Sequence, residues 1–261
     1  MEPPADDKMP PQTNRPPRPR AVDETRASIE FQLTVMRDLL RVLEDGIYEV
    51  GMKERDEHIP TGSLNLCTMD GVKKWGKYMH FQQMYGFELP LRIRYTFLLQ
   101  LYTVFEAGAI ILCDEICKRK SLTLSLDDVT GERTYKGIKT YLTKVFPVDG
   151  IPWGDLERMK DIRNCLIHCG GVIGSANQGE RLKKFAKRWP RKLKILRSGY
   201  LFLHRDYCEE LLRTTAKFFG CIFTGGGFGP KMVQYRFGHA QELIEVSRQE
   251  RNRLSQSSAK T

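Results

Sequence analysis

Between Tyr95 and Cys113 the chain reads YTFLLQLYTVFEAGAIILC, 19 residues in which Gln100 and Glu106 are the strongly polar exceptions. A run of that length and apolarity is either a membrane span or a helix enclosed by the rest of the fold. Glu106 decides between them. A carboxylate near the middle of a bilayer costs about 2.5–3.5 kcal/mol even on the mildest insertion scale, and Arg94 and Asp114 bracket the run. No membrane is expected. Instead the pattern predicts a core helix from Leu91 to Lys118, with Leu98, Leu101, Tyr102, Phe105, Ala109, Leu112 and Ile116 at helical spacing.

A helix buried on most sides needs amphipathic helices to bury it, and the chain supplies three. Ile29, Leu33, Met36, Leu40, Leu43, Ile47 and Val50 alternate steps of four and three, which makes an apolar seam, with Gly51 as a stop. A helix from Trp153 carries Leu156, Met159, Ile162, Leu166 and Cys169, and Gly170–Gly171 end it. Another runs through Leu211, Leu212, Thr215, Phe219 and Ile222, with Asp206 as its N-cap. "DGVKKWGKYMHFQQMY" predicts a shorter helix, weakened by Gly71 and Gly76, and "RTYKGIKTYLTKVF" a small one. "HIPTGS" and "TLSLDDVTGE" read as loops. The expected fold is all-α: an antiparallel helical bundle with a small basic β-hairpin inserted at about residues 181–204.

The bundle is expected over residues 23–223. Residues 1–22 hold seven of the 13 prolines and read as a disordered arm. Residues 224–261 open with "TGGGFGP" and continue as a glycine-rich linker and a C-terminal helix or tail. The glycine run lacks the lysine and the strand–helix setting of a phosphate loop. Seven cysteines, an odd number spread through apolar helical patterns, and a proline-rich N-terminus without a secretory signal point to a reducing cytoplasm.

The net charge of +10 suits a polyanionic partner. It is concentrated. Arg181, Lys183, Lys184, Lys187, Arg188, Arg191, Lys192, Lys194 and Arg197 follow one another with no acid between them. Phe185, Trp189 and Tyr200 are interleaved, which suits single-stranded RNA: cations for phosphates, rings for bases. Lys183, Lys184, Lys187, Arg188, Trp189, Arg191 and Lys192 are the candidate RNA contacts. The same face would also fit an acidic antitoxin or regulatory protein, and a solvated basic face is the bland alternative.

"DIRNCLIHCGG", residues 161–171, sets Arg163, Asn164 and His168 at the end of an apolar helix. Histidine titrates near neutrality and suits proton transfer. A planar guanidinium suits a phosphorane charge. Asn164 and His168 share a helix face, whereas Arg163 lies about 140° around from His168. Without a ligand, the arginine would pair a carboxylate and the histidine would cap carbonyls. Glu106 could orient either from the neighbouring helix, or face solvent or a lysine. Cys113 and Cys117, with Cys165 and Cys169, would make a zinc site only if the two helices brought the pairs together. His204 and Arg205 could touch phosphate but fit a structural role better.

The order Arg163, Asn164, then His168 after three further residues, with the glycine exit, resembles the R-N-x-x-x-H motif of the HEPN superfamily. The likeness covers the helix order and the tryptophan before the motif helix, roughly residues 23–223. It implies a metal-independent endoribonuclease of a bacterial toxin or defence system, acting as a homodimer in which motif helices meet, without cofactor. Arg163, Asn164 and His168 would be its catalytic residues, with Glu106 in support. It equally admits a catalytically inactive relative that binds RNA or a partner protein. A branch of the family carries an AMP-accepting tyrosine two residues after the histidine; here Gly170 stands there, so that modification is not expected.

Overall fold

A computed structural model describes residues 21–58 and 68–226, without the side chains of residues 21–23 and 130. Residues 1–20 of the expected arm at 1–22, most of the "HIPTGS" loop and residues 227–261 of the expected tail at 224–261 lie outside the described residues, whereas residues 21–22 and 224–225 already belong to helices. Among the described residues the fold is mostly helical with one two-stranded sheet.

Four long helices build it: α1 (Ala21–His58), α3 (Leu89–Arg119), α6 (Trp153–Cys169) and α8 (Arg205–Gly225). The shorter α2 (Met69–Gln83) leads through a π-helical turn, Met84–Glu88, directly into α3. The long helices run alternately up and down. Glu44 of α1 meets Arg94 near the start of α3, while Gly108 further along α3 lies against Ile29. Tyr95 of α3 lies against Gly171 just beyond α6, and Trp153 at the start of α6 meets Phe218 late in α8. Arg26 early in α1 stacks on Phe223 at the end of α8.

The apolar run is the centre of the bundle. Phe97, Leu98, Leu101, Tyr102, Phe105, Ala109, Leu112, Cys113 and Ile116 are all buried. Met69–Arg119 is long and apolar enough to cross a membrane by length and composition, but half of its most apolar window is enclosed by the other helices.

Several expectations need correction. α1 does not stop at Gly51 but continues to His58. Gly51 is instead a point of close approach, because a Cβ there would sit 2.7 Å from Tyr85 Cβ in the π turn. The α1 seam also drifts. Ile29, Leu33, Met36 and Leu40 are buried, whereas Leu43 and Val50 are exposed and Glu44 takes the inward position. The "TLSLDDVTGE" loop contains a short helix, α4 (Leu126–Thr130), closed by a capping box between Ser125 and Asp128. "RTYKGIKTYLTKVF" becomes α5 (Tyr135–Thr140) and a second π turn, Tyr141–Val145. α8 begins at Arg205, with His204 in the cap position and no side-chain cap. Asp206 lies in the first turn, where its charge still favours the helix dipole.

The basic insertion forms its hairpin where "KLKIL" and "YLFLH" flank "RSG": Leu193–Ile195 (β1) and Leu201–Leu203 (β2) pair, antiparallel, with Leu193 opposite Leu203. The expected bounds of 181–204 are too wide for it, because the stretch up to Arg188 forms an amphipathic helix, α7 (Gly179–Arg188), which buries Leu182 and Ala186.

Candidate functional site

The end of α6 is fixed by the two glycines and by one tyrosine. Gly170 and Gly171 take positive φ, +57° and +88°, and close the helix. A Cβ on Gly171 would sit 2.8 Å from the Tyr95 hydroxyl, which donates to the Leu201 carbonyl. Leu201 in turn donates its N–H to the Gly171 carbonyl at 2.9 Å, and Val172 bridges Tyr200. The exit of α6 is thereby stitched to β2. Burial holds the Tyr95 phenol well above its usual range, so it remains a neutral donor.

On α6, Arg163 and Asn164 are half-buried and His168 is exposed. The Arg163 guanidinium lies 5.3 Å from the centre of the Tyr102 ring and donates through Nη1 to Asn164 Oδ1 at 3.0 Å. Asn164 stands between Arg163 and His168 around the helix, and among the described residues no hydrogen bond, ion pair or ring contact joins Arg163 to His168. Tyr102 donates a long hydrogen bond, 3.5 Å, to Glu106 one turn along α3. Burial first, and the Glu106 charge second, push its phenol above the ordinary range, against the pull of Arg163. Glu106 therefore reaches Arg163 only through Tyr102, and no contact joins it to His168 among the described residues.

Tyr102 is the member that sequence reasoning missed as a site residue. Read alone, it is one more aromatic in an apolar run.

The basic face comes from two elements. Trp189, 44% exposed, ends α7 with Arg188 and Lys192 on its ring, their charges 5.7 and 5.0 Å from its centre. Three of the nine cations are already engaged: Arg181 with Asp161 (2.6 Å), Lys183 with Glu180 (2.7 Å) and Lys192 with Glu210 (2.5 Å). Lys183 and Lys192 are thus less available as RNA contacts than expected. Lys184, Lys187, Arg188, Arg191, Lys194 and Arg197 have no ion pair among the described residues. The Arg181–Asp161 pair ties α7 to α6. Burial nonetheless raises the Asp161 carboxyl above its usual value, because desolvation outweighs a partner that is itself half in water.

The cysteine pairs do not converge. Cys113 and Cys117 lie beside Tyr141 at one end of the bundle, while Cys165 lies beside Tyr95 at the other. Cys117 and Cys169 donate instead to nearby carbonyls, those of Leu122 and Ser175. Among the described residues no three His, Cys, Asp or Glu side chains are grouped to hold a metal. His204 packs its ring on Phe202, and its Nε2 is buried without a partner among the described residues, which fits a structural position. Arg205 pairs with Asp45 at 2.9 Å and ties α8 to α1.

Comparison of the chain with family models, with curated proteins and with solved structures returns no match.

Proposed function

We propose that the protein is a metal-independent endoribonuclease of the HEPN kind, in a bacterial toxin or defence role, which cleaves RNA by attack of a 2′-hydroxyl on the adjacent phosphate. What supports this reading is Arg163, Asn164 and His168 on the last turns of one helix, the Arg163 guanidinium held over Tyr102 and against Asn164, and His168 exposed one turn beyond Asn164. His168 would take the 2′-hydroxyl proton and return it to the departing 5′-oxygen, a form of catalysis worth roughly 10²–10⁴ in rate. Arg163 would neutralise the phosphorane oxygens, and Asn164 would hold the guanidinium in place. Glu106 acts at one remove, through Tyr102. The unpaired cations of α7 and the β1–β2 loop, with Trp189 and Tyr200, would hold the strand, and the Val172–Tyr200 bridge brings that hairpin to the exit of the motif helix.

A second reading, an RNA-binding protein without cleavage, is favoured by one feature: the Arg163 guanidinium already has two partners within the protein. The test is labelled single-stranded RNA in EDTA, with matched DNA and the His168→Ala variant alongside. Fragments ending in 2′,3′-cyclic phosphate from RNA only, reduced at least ~100-fold in the folded variant, support the nuclease. RNA retained but intact leaves the binding reading. Displacement of RNA by an acidic protein would identify a neutralising partner of the same face.

A further inference from the structure

α1 carries a second apolar face, separate from the seam that packs into the core. Phe31 is 69% exposed, and Val35, Leu39 and Val42 follow it at steps of four, four and three, each more than two-fifths exposed. On a helix these positions fall within about 80° of one another. Beside the ridge lies a groove of about 310 Å³ between α1 and α3, lined by Ser28, Gln32, Val104, Ala107, Gly108 and the half-exposed Ile111. Ile29, Val104, Ala107 and Ile111 give it apolar surface against which a ring can be buried, and Glu24, Thr25, Ser28 and Gln32 give it a polar edge. We infer that this ridge and groove are the contact surface for a second copy of the chain, the Phe31 of each copy entering the α1–α3 groove of the other.

The occupant follows from three properties of the face. First, knob and hole occur together on one patch, as a two-fold contact demands, since each copy must offer both halves of the same interaction. Second, the charge fits self-association. From Glu24 to Leu43 the helix carries Glu24, Glu30 and Asp38 against Arg26, Arg37 and Arg41, a net charge of zero on a chain of +10. Elsewhere, as on α7, two copies would meet cation to cation. Third, the area is sufficient. Glu24 to Leu43 spans about 28 Å, and two adjacent helices about 20 Å. Each copy then contributes roughly 600 Å², and together they bury about 1,200 Å², the lower bound for a specific interface and well below an obligate one.

Such an interface predicts a reversible dimer with a micromolar dissociation constant rather than a permanent one. It uses a different side of α3 from Tyr102 and Glu106. It leaves α6 and the basic face uncovered, and so differs from a dimer in which motif helices meet. It does not depend on the nuclease reading.

Sedimentation velocity of the full chain across the micromolar range tests it, with circular dichroism to verify folding. The expected result is a concentration-dependent rise toward twice 30.2 kDa. Phe31→Glu should raise the dissociation constant at least 30-fold. Ile111→Glu, on the opposite wall of the groove, should do the same, while Ile167→Glu at the exposed end of α6 should have no effect. A monomer at every concentration overturns the inference. So does a dimer that survives both groove variants, or one lost only with Ile167→Glu. A photo-crosslinking residue at position 31, in a mixture of light and heavy copies, must join α1 or α3 of another copy. Crosslinks confined to residues 227–261 of the same copy would show that the chain's own tail fills the groove, and would also overturn it.

Discussion

Replacing Glu44 by leucine should be among the most damaging single changes outside the apolar core. Its two oxygens accept from Arg94 Nε at 2.5 Å and Nη2 at 2.7 Å, a two-pronged pair whose side chains are only 7% and 12% exposed. The third prong of the guanidinium donates to the Leu203 carbonyl at 3.0 Å, and its carbon lies 5.6 Å from the Phe202 ring centre. One arginine therefore ties α1, α3 and β2. Removing the carboxylate leaves that cation enclosed with one carbonyl and one ring. Breaking a buried pair in this way costs about 3–5 kcal/mol. At about 2–4 °C per kcal/mol for a domain of this size, Tm should fall by roughly 6–20 °C. Glu44→Gln keeps an acceptor and should lose less. Glu44→Leu combined with Arg94→Met should recover part of the loss, since no charge is then stranded, but not all, because the Leu203 carbonyl loses its donor. Scanning calorimetry on the four proteins decides it. A Glu44→Leu shift below about 2 °C would refute the claim that this pair is buried in solution.

Two further outcomes are expected. Lys187→Glu with Arg188→Glu should weaken RNA binding and lower the slope of log affinity against log salt by about 0.7 for each phosphate no longer neutralised, as read by fluorescence anisotropy; an unchanged slope would remove α7 from the RNA face. The imidazole of His204 is held below its ordinary 6.5 by burial first and then by Lys194 and Arg94. In the window from 6.5 down to that lowered value the unfolded chain binds more protons, so this contribution to stability is fully present above 6.5 and is lost as pH falls through it. Urea midpoints should drop on acidification across that window by more in the native chain than in His204→Gln, and equal slopes would sink the assignment.

The helices are legible because burial repeats. The α3 and α6 stripes follow directly from spacing, and Gly170–Gly171 marks the end of α6 at the right residue. What escapes the sequence depends on neighbours distant in the chain. Gly51 looks like a stop until Tyr85 is seen against it. Leu43 looks like seam until α1 turns Glu44 inward to meet Arg94, fifty residues away. The lysines of α7 look like part of a hairpin because nine cations mask the burial of Leu182 and Ala186, whose spacing of four is a short helical signal. At the candidate site, Arg163, Asn164 and His168 can be picked out as polar groups on an apolar helix. Tyr102 cannot, since its position under Arg163 comes from the packing of α3 on α6.

The thiols give the bundle a clock. Cys113 and Cys208 are fully enclosed, and burial pushes both up to about 12. Cys208 feels the charges of Arg94 and Glu44, at the same junction of α1, α3 and β2. A thiol in that state is almost never thiolate and is shielded from reagents, so alkylation must wait for the helices to part. The rate at which Cys208 is modified should therefore time the opening of the Arg94 junction, while half-exposed Cys117 and Cys169 report only local fraying at opposite ends of the molecule.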